Sequence, residues 1–170
     1  RLNDSLPRAV LERLQRQVQG ETEERRQRHM RRLIERHVDA GHGSCLLARD
    51  EAAAIVVDAW RHLDGEAYEL HAWVVMPNHV HLLIRQRPDH PLARVIARWK
   101  SFTARSINRA LGRSGALWMP DYWNRVIRDA EHYQRALAYI HHNPGVAGLV
   151  ERPEHWRWSS ASGAQRNPSG

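Results

Sequence analysis

Met30, Leu33, Ile34 and Val38 recur at helical spacing among arginines, so residues 8–39 read as one or two amphipathic helices. Gly41-His42-Gly43 breaks that pattern. Asp50 stands as an N-cap before an Ala- and Val-rich helix over about 51–61. After the Asp64-Gly65 turn, a strand over about 67–76 ends at Pro77-Asn78, and a second over about 79–86 completes a hairpin. Leu92, Val95, Ile96, Trp99, Phe102 and Ile107 give a helix over about 91–111, stopped by Gly112. A short strand is expected over about 122–128. Asp129 caps a last helix over about 130–142, which Asn143-Pro144-Gly145 should end. From Ser159 onward the chain is rich in Ser, Gly and Asn and reads as flexible. This order predicts an antiparallel sheet with helices packed on it, an α+β fold. An opening strand before or at Arg1-Leu2 would make the order ferredoxin-like.

A chain of 170 residues, 42% hydrophobic and 26% charged, suffices for one domain with a real core. No apolar run approaches the roughly 18 residues of a membrane span, and Arg1 to Pro7 lacks the pattern of a signal peptide. The sequence opens on Arg1, so the natural start is expected upstream. Cys45 is the sole cysteine, which excludes an internal disulfide and suits a reducing, cytoplasmic setting. The net charge of +7 and the pI near 10.6 point to a polyanionic partner, most commonly nucleic acid. Nearly all the positive charge is arginine, which grips phosphate bidentately and stacks on bases. A GC-rich genome would also favour arginine over lysine, but does not account for the net sign.

The chemistry concentrates in two places. Along Pro77-Asn78-His79-Val80-His81-Leu82-Leu83-Ile84, alternation turns Val80, Leu82 and Ile84 to a core. His79 and His81 then lie side by side on the other face, where their ring nitrogens can share a metal ion. A solvated polar face carrying two histidines is the plain alternative, and His71 is either a further ligand or a strand residue. In the last helix, Tyr133, Ala136, Leu137 and Ile140 form the apolar stripe. Tyr139 and Asn143 flank it, one turn apart. Each taken singly reads as packing or as a helix stop. Together, two imidazoles and the Asn143 oxygen make a ligand set, and the Tyr139 hydroxyl can reach a phosphorus held there. The cation would neutralise the phosphodiester, and a tyrosine nucleophile would conserve its energy in a covalent link.

His79-Val80-His81 resembles the His-hydrophobic-His motif of the HUH single-strand nucleases. Five stretches resemble the REP-associated tyrosine transposases of its single-tyrosine, IS200-like branch. They are His71 to His81, Trp99-Lys100-Ser101-Phe102-Thr103, Ile127-Arg128-Asp129, Tyr139-Ile140-His141-His142-Asn143-Pro144 and Trp158-Ser159-Ser160. The likeness runs from about Trp60 to Ser160. It implies a ferredoxin-like α+β fold of HUH nuclease type. One domain would span 1–160, with 8–45 as a helical N-terminal insertion and 161–170 as a flexible tail. It further implies Tyr139 as nucleophile, His79, His81 and Asn143 as ligands, and Mg²⁺ or Mn²⁺ as the ion. The implied substrate is single-stranded or hairpin DNA, cut through a 5′-phosphotyrosine with release of a 3′-OH. The likeness leaves a homodimer open. Asn124 departs from the pattern, since relatives often carry an acidic residue there.

Phosphate contacts are expected from Lys100 and Arg105 on the helix over 91–111 and from Arg125 and Arg128 beside the expected last strand. Arg31 and Arg32 belong to a basic helix that either lies along DNA or forms a solvated face laced by Glu21–Arg25 and Glu24–Arg28 pairs. Of seven tryptophans, Trp60 and Trp73 are expected to pack. Trp118, Trp123, Trp156 and Trp158 lie in or near loops, where packing is the default reading and one or two can stack on unpaired bases. His142, on the last helix, is a candidate proton acceptor for Tyr139. Two rival readings stand beside the DNA transesterase: a DNA-binding protein that has lost cutting, and a hydrolase in which water attacks and Tyr139 is structural.

Overall fold

In the computed structural model, which describes residues 1–162, seven principal elements assemble as two helices, a helix, a hairpin and two more helices. They are α1 (Arg8–Gln17), α2 (Glu23–Asp39), α3 (Asp50–Leu63), β1 (Tyr68–Val75), β2 (Val80–Gln86), α4 (Leu92–Ala110) and α5 (Ala130–Val146). No helix among them is long and apolar enough to cross a membrane. The architecture is α+β, as the patterning predicts.

The hairpin is the centre of the molecule, because its two faces bury different helices. β1 pairs antiparallel with β2, in a register that sets Val74 against His81 and Val75 against Val80. Trp73 and Val75 join Val56, Val57 and Trp60 of α3 and Val95, Trp99 and Ile107 of α4 in the larger core. Val80, Leu82 and Ile84 pack against that core, as their alternation requires. Ala72, Val74, Met76 and Leu83 look the other way and meet Ile140, with Tyr133, Ala136 and Leu137 of the α5 stripe beside it. The histidine face is therefore roofed by α5. A third, smaller cluster of Leu6, Leu14, Ile34 and Val38 binds α1 to α2.

Several local expectations are corrected. The sheet among the described residues has two strands rather than a ferredoxin-like set. Leu2 supplies only the trace of an opening strand: it bridges antiparallel to Trp118, and its N–H donates to Asn78 O at 2.8 Å. Residues 122–128 form no strand; this run lies at the surface with only Ile127 partly buried, so no apolar face draws it onto the sheet. Asp50 is the first residue of α3 and not its cap. Its carboxylate accepts instead from Trp158 Nε1 at 2.7 Å and Arg157 Nη1 at 2.9 Å. α5 does start on Asp129, which accepts from His132 N, but it runs through Pro144 to Val146. Proline removes one N–H there, yet the helix continues past it with the ring buried. Phe102 leaves the α4 stripe and is 49% exposed. Ser159 to Ser162 are packed rather than loose: Ser159 bridges to Val74, and Ser162 is buried. The rest of the expected tail, 163–170, lies outside the described residues.

Candidate metal and tyrosine centre

His79 stands immediately before β2, and His81 is its second residue. Their rings meet edge to face, with centroids 4.9 Å apart and planes at 85°. Asn78, in the turn, decides which nitrogen of His79 faces the site. Its Nδ2 donates to the carbonyls of Val38 at 2.9 Å and His42 at 2.8 Å. Its Oδ1 is thereby left as an acceptor, 2.8 Å from His79 Nδ1. Nδ1 carries the proton and donates, so Nε2 keeps its lone pair. The same two bonds clamp the end of α2 onto the turn. Gly43 completes the clamp: its φ is +95°, and a side chain there would strike Asp4 O at 2.9 Å.

The clamp delivers Asp39, the last residue of α2. Its Oδ1 lies 3.2 Å from His79 Nε2. Burial holds His79 below its ordinary pKa in spite of Asp39, and holds His81 well below, with the charges of His79 and Arg31 adding to the effect. Both rings are neutral near pH 7. His79 Nε2 and Asp39 Oδ1 are thus two acceptors facing each other. His81 Nε2 and Asn143 Oδ1 are likewise buried acceptors without a hydrogen-bond partner. Each such orphan costs about 1–3 kcal/mol. The ligand atoms of Asp39, His79 and His81 all lie within 4.8 Å of one another. Two imidazoles and a carboxylate, with an amide oxygen nearby on α5, fit a divalent cation, and a cation relieves the repulsion between these acceptors.

α5 crosses this face with Tyr139 over His81, ring centroids 5.2 Å apart and planes at 80°. Tyr139 is 43% exposed and opens into a groove shared with His29, Arg32, Glu35, Arg36 and Asp39. Burial, then the negative charges of Asp39 and Glu35, raise the phenol's pKa above its ordinary value. The Asn143 amide and the Arg31 guanidinium oppose that rise. The phenol is protonated at neutral pH without a cation beside it.

Sequence reasoning brought four of these residues forward, and the fold assembles His79, His81, Tyr139 and Asn143 in one region. It missed Asp39 and Glu35. The available signal was the spacing Arg31, Glu35, Asp39, which puts one polar stripe on α2. Other expectations fall outside the centre. His71 is exposed and hydrogen bonded to Tyr133 Oη at 2.9 Å, which answers for the strand-residue reading. His142 Nδ1 donates to Ala138 O at 2.8 Å in its own helix. Lys100 Nζ donates to Met119 O and, at 2.9 Å, to Pro120 O, so it ties down a loop. Arg105 donates to Ser101 Oγ at 2.7 Å on an exposed turn of α4. Arg125 and Arg128 are exposed, Arg32 lines the tyrosine groove, and Arg31 pairs with Glu35 at 2.9 Å.

Residues 60–143, which hold the hairpin, both histidines, Tyr139 and Asn143, match the family model described as Transposase IS200 like. Through this segment the chain is similar to the IS200-like transposase family. Two curated relatives are similar over a stretch of comparable length. The REP-associated tyrosine transposase of Escherichia coli (strain K12) is 29% identical over 94 residues, covering 55% of this chain and 54% of that protein. The putative REP-associated tyrosine transposase of Haemophilus influenzae (strain Rd) is 29% identical over 103 residues, covering 55% and 58%. The chain thus spans little more than half the length of these curated relatives. A solved structure described as the REP-associated tyrosine transposase bound to a REP hairpin superposes with a TM-score of 0.56. That likeness covers 71% of this chain and 70% of the other at 24% identity, so it speaks for a shared fold.

Proposed function

We propose that this protein is an IS200-like transposase, a metal-dependent single-stranded DNA endonuclease and strand transferase with Tyr139 as nucleophile. The observation that carries the reading is the Tyr139 ring seated on His81, beside buried ligand atoms that no hydrogen bond satisfies. His79, His81 and Asn143, joined by Asp39, would hold the cation, which we take to be Mg²⁺ or Mn²⁺. When bound, it supplies Lewis acidity and offsets the charge on the phosphate. Tyr139 loses its proton into the groove, and its oxygen attacks phosphorus. The bond to the 3′ oxygen breaks, that oxygen takes up a proton, and a 5′-phosphotyrosine and a free 3′-OH result. Reversal by another 3′-OH rejoins the strand without an outside energy source. Asn143, one turn from Tyr139, orients the phenol while its amide favours the ionised form.

The substrate we propose is hairpin DNA of the REP type with single-stranded flanks, bound on the face of the two-stranded β-hairpin that α5 covers. The basic balance of the chain and the groove arginines support a polyanionic ligand. The test is incubation of labelled hairpin DNA with Mn²⁺, followed by denaturing electrophoresis for a covalent protein–DNA adduct. Cutting without an adduct would favour a hydrolase. Tight binding without cutting would favour a protein that only binds DNA. Mass spectrometry placing the phosphate on Tyr122 or Tyr133 would reassign the nucleophile.

A further inference from the structure

We propose that Trp123 is a stacking platform for one unpaired base of the strand whose phosphate reaches Tyr139. The inference rests on the DNA-cutting reading and adds a defined contact to it.

The structure separates Trp123 from the other tryptophans. Trp60, Trp73 and Trp99 are buried in the larger core. The remaining three are held by their indole N–H: Trp118 donates to Thr103 Oγ1 at 2.9 Å, Trp156 to Val75 O at 2.9 Å and Trp158 to Asp50 Oδ1 at 2.7 Å. Trp123 is 43% exposed, in the irregular run that follows Trp118. Its indole, held by no hydrogen bond from its N–H among the described residues and open to solvent in part, offers ring surface to a π-stacked ligand.

Its neighbours specify the ligand's charge. The guanidinium carbons of Arg1 and Arg31 lie 4.9 and 5.9 Å from its ring centroid. Arg31 belongs to α2 and pairs with Glu35, which lines the Tyr139 groove. Its charge reaches both His81 and Tyr139. Arg31 therefore links the indole to the centre. An aromatic face beside guanidinium groups, next to a phosphate-processing site, matches a nucleotide: the base stacks while arginine meets the phosphate. Arg125 and Arg128, exposed on the same run, extend the positive surface. Every base has a π-face, so this contact holds the strand without reading its sequence.

The experiment uses the whole chain in EDTA, so that no cutting intervenes. Hairpins with randomised single-stranded flanks are selected on the wild type, and single abasic sites are then walked through the flanks of a selected hairpin. Trp123→Ala should weaken binding roughly five- to a hundredfold, the range of one stacked base, and Trp123→Phe should recover most of it. At one flank position an abasic site should weaken the wild type by the same factor and add nothing to Trp123→Ala. Equal affinity of Trp123→Ala and wild type overturns the proposal, as does a loss that no abasic position erases. Circular dichroism of both variants guards against misfolding. Adduct formation in Mn²⁺ is scored separately on the wild type. The stacking pattern without an adduct overturns the cutting reading alone, and an adduct without the pattern overturns the stacking alone. Failure to select any hairpin overturns both.

Discussion

Asp39 Oδ1 and His79 Nε2 lie 3.2 Å apart, and neither atom has a proton to share. Asn78 fixes the imidazole proton on Nδ1, and burial keeps the ring neutral. The pair offers two lone pairs that a cation could accept. Asp39→Asn removes the carboxylate's charge and keeps its shape. Affinity for Mn²⁺ should fall roughly ten- to a hundredfold, read by calorimetry on the purified chain. In metal-free protein the same change should lower the Tyr139 pKa, since Asp39 helps to raise it. A difference titration against Tyr139→Phe isolates that phenol. Unchanged Mn²⁺ affinity would remove Asp39 from the site.

Asn78 acts through His79 and through α2. Asn78→Ala leaves the carbonyls of Val38 and His42 without their donor and frees the ring to change tautomer. It should cost about 2–4 kcal/mol of stability, by the cost of buried unpaired groups, and weaken Mn²⁺ binding. Asn78→Asp keeps an acceptor for His79 and loses the donor to the carbonyls. It should therefore remain as destabilised, in denaturant melts, yet bind Mn²⁺ more tightly than Asn78→Ala.

Tyr139→Phe removes one half-exposed oxygen. Stability should change by no more than about 0.5 kcal/mol, and hairpin binding should persist while the covalent adduct vanishes. His81→Ala should also abolish cutting while DNA binding largely survives. It should in addition weaken Mn²⁺ binding, which Tyr139→Phe should leave intact. A variant at His81 that still cuts would exclude the metal mechanism.

Metal binding should resist mild acid. A proton competes with the cation for each imidazole, and a lowered pKa means the proton competes poorly. Both His79 and His81 are lowered by burial. The loss of Mn²⁺ affinity on acidification should therefore be centred below the ordinary histidine pKa of about 6.5. Calorimetry at stepped pH decides this, and a midpoint at or above that value would contradict the buried geometry.

Salt should weaken DNA binding steeply, with a log–log slope set by the number of phosphates contacted. Arg32→Ala, in the tyrosine groove, should reduce the slope by about one. Lys100→Ala should reduce it less, because Lys100 holds the carbonyls of Met119 and Pro120. Equal slopes for Arg32→Ala and wild type would take that arginine off the DNA path.

What the sequence by itself determined is local and periodic. Alternation along the hairpin separated Val80, Leu82 and Ile84 from His79 and His81, because strand geometry admits no other arrangement. Helical spacing placed Tyr139 and Asn143 one turn apart at the edge of the α5 stripe. The motif order from about Trp60 to Ser160 carried the resemblance. Tertiary structure decided the rest. The run over 122–128 looked like a strand, but nothing buries one of its faces. Pro144 looked like a stop, but α5 continues past it. Asp39 lies forty residues before His79, at the end of an arginine-rich helix. The Asn78 amide, bonded at once to the end of α2 and to His79, brings that carboxylate to the imidazoles. Periodicity reports which face a residue takes within its own element; it holds no information about which distant element will be clamped against that face.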